Sequence, residues 1–357
     1  MKYFLKIAAI IFSMAMLFSF SGCQPTVNGD GNTTPPTVTY TVTVNASENG
    51  TVTASKTSGI AAGETITLTV MPGVTETDDY ELGIISVKNG DAEVDVSGSG
   101  SSRTFTMPVA NVTVSATFTK ITYIGSKKPS RAKQVGDIVF TDGSASPYTD
   151  GLELTNAQKA AAIAVVFYKG TGLNNDDDTS TERTLGVGLV HGRELMWCNK
   201  DSAAAYKTNI TTTHCPASGS AGAHEFTGHR NGSDNFTLIG QALASDDTTT
   251  SGEADRYPAF YFARDYKMYA ANVAGTAYED DWYVPSIAEV FQVWKQKTTL
   301  DAVGTLCETD TYGNGYYWSS SQIDSNALSA YVLNSTNGYC YSIDKSGSMS
   351  VCIVRAF

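Results

Sequence analysis

The chain has 357 residues, a formal net charge of −12 and a sequence pI near 4.7, with 17% charged and 41% hydrophobic residues. So acidic a balance argues against nucleic acid or an anionic lipid surface as partner, since both are held by clustered Lys and Arg. Beyond the first 37 residues about 320 remain, enough for roughly two domains, and the abundance of Tyr, Ser, Thr and Gly suits extracellular β structure.

In residues 1–23, Lys2 and Lys6 precede an apolar run from Ile7 to Phe20, then the small pair Ser21-Gly22 and Cys23. That order is a lipoprotein signal peptide. The run is shorter than the about 20 residues a membrane-spanning helix needs. Phe20 departs from the aliphatic residue usual three positions before the lipidated cysteine, but Cys23 is the expected lipid attachment site. Residues 24–37 are Gly, Pro, Asn and Thr with little apolar content, which predicts a flexible tether. No later segment is apolar long enough to cross a bilayer, so the expected membrane contact is the lipid alone. The folded part is then extracytoplasmic, on a bacterial membrane and expected at the outer-membrane surface.

Residues 38–120 alternate apolar and polar through TYTVTVNA, TVTAS, AAGETITLTVMP, YELGIISV and RTFTMPVANVTVSATF. This period-two pattern predicts a small all-β domain, and Asn49-Gly50 predicts a first hairpin. Glu48 to Val52, Gly63 to Leu68 and Phe105 to Pro108 through Val112 to Val114 resemble the divergent internalin-type bacterial surface repeat, which implies a stalk or spacer. Residues 121–133, with Lys127, Lys128, Arg131, Lys133 and Pro129, read as a solvated linker.

Residues 134–357 read as a mixed unit, so the whole chain is expected to be α+β: a small all-β domain and then an α+β domain with long loops. Asp137 to Phe140 predicts a strand. Thr155-Asn156 caps a helix through Gln158 to Ala162 that runs into Val165 to Tyr168. Ser286 opens a second helix, with Glu289 completing a capping box. Long stretches rich in Gly, Ser, Asn and Asp lie around these helices.

Trp282-Tyr283-Val284-Pro285-Ser286-Ile287-Ala288-Glu289, followed by Tyr316-Tyr317-Trp318-Ser319-Ser320-Ser321-Gln322 and the terminal Val354-Arg355-Ala356-Phe357, resembles the C-type-lectin-fold variable proteins of diversity-generating retroelements. The resemblance spans roughly residues 134–357. It implies a C-type-lectin-like domain whose segment after Gln322 contacts ligand and is diversified at template adenines. Asparagine codons altered in this way never give Glu, Gln, Trp, Lys or Met. From Ile323 to Phe357 the chain has no Glu, Gln or Trp, and only Lys345 and Met349 stand outside the set. The Tyr, Ser, Gly and Asn content is also that of binding surfaces in general, where Tyr gives rigid contact area. Equally, Tyr and Ser are common in ordinary exposed strands.

Tyr339, Tyr341 and Ile343 share one strand parity, and Tyr331 and Leu333 form an earlier pair. Ile323, Asp324, Ser325, Asp344 and Ser346 complete the expected ligand-binding set, the two aspartates and two serines at turns. Trp318 and Val354 read as core, Cys340 and Cys352 as scaffold. The final VCIVRAF carries Cys352 where the family bears Arg, so the end of the diversified stretch is not fixed by the match.

The remaining chemistry points away from catalysis. His224-Glu225-Phe226-Thr227-Gly228-His229 is one residue too long for a metalloprotease helix, and Gly228 opposes one; the histidines at 191, 214, 224 and 229 read as surface-loop residues. Asn174 to Asp178 lacks the glycine and distal glutamate of a calcium loop and reads as a solvated turn. No Glu-Pro-Asn motif supports calcium-dependent sugar binding. An oxidising compartment makes disulfides plausible, with Cys198–Cys215 and Cys340–Cys352 close enough in sequence to pair and Cys307 left free. The expected protein is a non-enzymatic surface lipoprotein without cofactor or metal that displays a binding face to a protein or glycan. The alternatives are an invariant adhesin for a matrix component or polysaccharide and, more remotely, a sulfatase-activating-type oxidase using a cysteine pair.

Overall fold

The computed structural model describes residues 37–242 and 254–357. The leader, Cys23 and residues 24–36 lie outside the described residues.

The first domain contains β1 (Val42–Val44), β2 (Gly50–Ala54), β3 (Thr65–Pro72), β4 (Tyr80–Asn89), β5 (Ala92–Val94), β6 (Ser102–Thr106) and β7 (Val112–Lys120). They form two sheets, ordered β1-β7-β4-β5 and β2-β3-β6. The alternation seen in the sequence places Ile66, Leu68, Val70, Val112 and Val114 inward on a shared core with Ile60, Phe105 and Met107. Full burial of each such side chain stabilises by roughly 1.5–3 kcal/mol. The Asn49-Gly50 turn forms, with Asn49 at φ 62°, yet it closes no hairpin. β1 instead pairs in parallel with β7 and β2 pairs with β3, so the turn passes the chain from one sheet to the other. Gly50 is required there, because a Cβ would sit 2.6 Å from the Phe118 ring.

The expected solvated linker is a set of buried or half-buried ties. Lys128 is 6% exposed and its Nζ donates to Asp79 Oδ1 at 2.7 Å and to the Thr75 carbonyl at 2.8 Å. Tyr123 donates to the other Asp79 oxygen at 2.7 Å, and Lys127 pairs with buried Asp137 at 2.7 Å. Basic residues gather at this junction because acidic side chains of both domains face it.

The second domain contains β8 (Asp137–Phe140), β9 (Ala145–Pro147), α1 (Asn156–Ala161), β10 (Ala162–Gly170), β11 (Arg183–Gly188), β12 (Gly192–Met196), β13 (Ala217–Ser220), β14 (Ala223–Phe226), α2 (Gly232–Ala242), α3 (Pro258–Arg264), α4 (Ile287–Lys295), α5 (Lys297–Cys307), β15 (Tyr316–Gln322), β16 (Ser329–Asn334), β17 (Tyr339–Asp344), β18 (Ser348–Val351) and β19 (Val354–Ala356). Two five-stranded sheets, β19-β11-β10-β8-β9 and β12-β18-β15-β16-β17, are accompanied by the separate β13-β14 ribbon. This overturns the α+β, C-type-lectin-like expectation: the described residues are mainly β, with five sheets and short helices. The misreading has a physical origin. α1 ends after six residues, and the apolar run following it is strand β10, buried on both faces. A strand covered on both sides shows no period-two alternation and cannot be told from a helix by pattern.

β15 and β16 are covered in the same way. Trp318 and Val332 face a cluster with Trp197 and Phe260, whereas Tyr317 and Leu333 face one with Val290 and Phe291 of α4. Both anticipated capping boxes form, Thr155 with Gln158 ahead of α1 and Ser286 with Glu289 ahead of α4.

Candidate ligand-binding face

β17 is the edge strand of its sheet, antiparallel to β16 with Leu333 opposite Cys340 and Val332 opposite Tyr341. The connecting turn contains Gly338 at φ 68°, where a Cβ would lie 2.5 Å from the Trp294 ring. Because side chains alternate across a strand, Tyr339 and Tyr341 project from one face, and their centroids are 4.6 Å apart. Tyr316 at the start of β15 adds a third ring, 5.8 Å from Tyr341 and edge-on to it. Each of the three is 38% exposed, so they form a surface ladder of phenol rings.

Beside the ladder opens a cleft of about 410 Å³. Six residues of the sequence-derived set line it: Ile323, Asp324, Ser325, Tyr331, Tyr339 and Tyr341. Four do not. Leu333 is fully buried because β16 is an inner strand, and Ile343 packs against the Trp197 cluster. Asp344 and Ser346 build the β17–β18 turn, Asp344 Oδ1 accepting from the Ser346 amide at 2.9 Å and Oδ2 from the Tyr206 hydroxyl at 2.8 Å. Tyr331 shares the face of Leu333 rather than that of Tyr339 and Tyr341, as its register partner Ser342 shows.

His214, Pro216, Gln322 and Ser342 also line the cleft and were missed from sequence. Only an Asn, Gln or His adjoining the Tyr-rich strands could have suggested them, and adjacency across the fold is not visible in spacing. His214 Nε2 lies 2.6 Å from Asn209 Oδ1, and its Nδ1 faces the Asp324 carboxylate. Asn209 donates to the Asp324 carbonyl at 3.2 Å, so ring and amide together hold the 323–325 loop. His224, on β14 rather than in a loop, accepts the Cys340 backbone N–H at 3.1 Å through Nε2, while its Nδ1 contacts the Ser218 carbonyl at 3.0 Å. Those partners assign the proton to Nδ1. His191 is likewise no surface-loop residue. It is buried, and desolvation pushes its pKa down to about 4.

The five described cysteines are separate buried thiols, and neither anticipated disulfide is formed. Cys198 belongs to the Trp197 cluster and Cys215 to the Phe291 cluster, on different sides of the sheet. Cys340 lies on β17 and Cys352 follows β18, strands separated by β15 and β16. Burial pushes the thiols of Cys198, Cys215, Cys340 and Cys352 up to about 12 and that of Cys307 up to about 11. The acidic loop at Asn174 to Asp178 is used internally: Asp176 accepts the Gly228 amide at 2.7 Å, and Asp178 accepts those of Ser180 and Thr181. Among the described residues no three metal-ligating side chains converge.

Residues 40–122 match the divergent InlB B-repeat domain family. That match coincides with the segment whose strand motifs resembled the internalin-type repeat. No curated protein sequence matches the chain. Among solved structures, a fimbrial protein from Bacteroides ovatus ATCC 8483 is similar at 12% identity, with 89% of this chain and 69% of that one covered and a TM-score of 0.43. A likeness of that size carries no argument about this chain.

Proposed function

We propose that this chain is a lipid-anchored surface protein whose second domain presents the Tyr316–Tyr341–Tyr339 ladder and its cleft to a ligand. The observation that carries the reading is the ladder itself. Three large rings stand partly in solvent, and two of them, Tyr339 and Tyr341, line a concave site, where aromatic side chains supply contact area at little entropic cost. The divergent InlB B-repeat domain acts as the spacer between the anchor at Cys23 and this face.

Binding rather than catalysis is favoured by the thiols, which burial keeps protonated and unreactive, against the needs of a cysteine-pair oxidase. Diversification of the segment after Gln322 fits one further detail. Lys345 and Met349, which altered asparagine codons cannot supply, are framework: Lys345 is fully buried, and Met349 packs on the core. A near-copy of the 3′ coding end differing at adenines, beside a reverse transcriptase gene, is expected downstream; its lack leaves the invariant adhesin. The anchor is tested by metabolic labelling with palmitate, where Cys23→Ala is expected to lose the label. The face is tested by capture of surface ligands with the wild-type protein and with Tyr339→Ala/Tyr341→Ala. Equal capture by both would sink the assignment.

A further inference from the structure

Among the polar groups lining the cleft, Gln322 is buried and has an unpaired donor. Its side chain is fully buried although the residue lines the opening. The carboxamide orientation is fixed, because Oε1 accepts the Ile210 amide at 3.1 Å. Nε2 consequently carries the two amide hydrogens, and it has no hydrogen-bond partner. A buried donor left unpaired costs about 1–3 kcal/mol, so a ligand that brings an acceptor to this point gains what the free protein lacks.

The other lining groups restrict the ligand's chemistry. Among the described residues no Lys or Arg lines the cleft, which disfavours carboxylated, sulfated or phosphorylated ligands. Its one carboxylate, Asp324, faces His214, which disfavours a simple cation. What remains is a neutral ligand with hydroxyl or amide oxygens on its edges and C–H groups on a face, because the electron-rich faces of Tyr339 and Tyr341 attract polarised C–H bonds. A pyranose has both. An extended peptide would instead need a free stretch of the β17 edge, yet the β13-β14 ribbon already takes the Cys340 amide through His224 and the Gly338 carbonyl through the Gly222 amide at 3.1 Å.

We infer that the cleft binds a neutral sugar residue, a hexose or N-acetylhexosamine of a longer glycan, without calcium: one face stacks on the Tyr341 ring, against which Tyr339 is tilted by 58°, and one ring or acetamido oxygen accepts from Gln322 Nε2. This rests on the ligand-face reading above and names its ligand class.

The experiment uses the full protein on two arrays in the presence of EDTA, one of neutral and acidic oligosaccharides and one of unstructured peptides. Wild type is expected to bind neutral oligosaccharides. Tyr341→Ala is expected to lower that binding at least tenfold. Gln322→Met removes the carboxamide donor at similar length and is expected to do the same; near-UV circular dichroism reports whether it folds, and a folded variant that binds as wild type overturns the Gln322 contact. If it does not fold, Tyr341→Ala, at an exposed position, decides alone. Binding of acidic glycans only, or no glycan binding, overturns the sugar assignment. Peptide binding abolished by Tyr341→Ala overturns the sugar but preserves the ligand face. Glycan binding that Tyr341→Ala leaves unchanged overturns both.

Discussion

Arg183 on β11 and Glu289 in the first turn of α4 meet at 3.0 Å with the carboxylate fully buried. Glu289 also accepts the Ser286 amide at 2.9 Å, the Gly232 amide at 3.1 Å and the Tyr283 hydroxyl at 3.1 Å. One side chain thereby joins a sheet and the first turns of α2 and α4. Removing it leaves the Arg183 charge buried without its partner, a loss of about 3–5 kcal/mol. Glu289→Ala is expected to lower the unfolding free energy by that amount in urea titration, far beyond the about 1 kcal/mol of a helix cap alone. A loss no larger than the cap would mean that Arg183 finds water.

The two sides of the β16–β17 hairpin should respond in opposite ways. Leu333→Ala empties a fully buried position and is expected to cost about 2–5 kcal/mol. Tyr341→Ala, at the surface, should cost under about 1 kcal/mol. Thermal melts of the two variants check this, and similar shifts in both would place Tyr341 in the core.

His191 sets an acid limit on stability. Its ring packs edge-on against Tyr312 and Tyr317, with centroids 5.9 and 6.1 Å away, and is kept neutral by burial and by nearby Arg193, against the opposing pull of Asp310. With a folded pKa of about 4 and an unfolded one near 6.5, the unfolded chain binds the extra proton first. Stability is therefore full above pH about 6.5 and lost as pH falls towards 4, by about 3 kcal/mol at the low end. Urea midpoints between pH 7 and 4 should show this slope, and His191→Asn should flatten it.

The thiols give a direct chemical readout. Maleimide added to the native protein is expected to leave Cys198, Cys215, Cys307, Cys340 and Cys352 unmodified, since all are buried. After unfolding in guanidinium without reductant, all five should react, as mass spectrometry reports. Two thiols that never react would restore a disulfide.

How much of this was legible in the residues depends on how many faces of a strand are covered. In β3, Ile66, Leu68 and Val70 point inward between exposed Thr65, Thr69 and Met71, and the alternation is plain. In β10 both faces are buried, so the run after α1 carried no period and was not read as a strand. The capping boxes were readable because Thr155–Gln158 and Ser286–Glu289 are local bonds. Helices α2, α3 and α5 were missed: α3 and α5 begin without a side-chain cap, and α2 has Asn231, whose Oδ1 accepts the Ser233 amide at 3.2 Å, but no Glu or Gln three residues on to complete a box. Within the candidate site, parity put Tyr339 and Tyr341 together correctly. It failed for Leu333, because parity distinguishes two faces without saying which of them is covered. Gln322 and His214 became neighbours only through a parallel bridge between distant segments.

The contact of His224 with the Cys340 amide has a consequence for how the molecule behaves among its own copies. An uncovered edge strand offers a row of amides and carbonyls to any similar strand nearby. Here an imidazole from β14 occupies one of those amides, and the Gly222 amide takes the Gly338 carbonyl one step earlier. The β13-β14 ribbon thus covers the first step of the β17 edge without adding a strand to the sheet, so a second copy meets fewer open amides there, while the phenol rings beside it stay exposed.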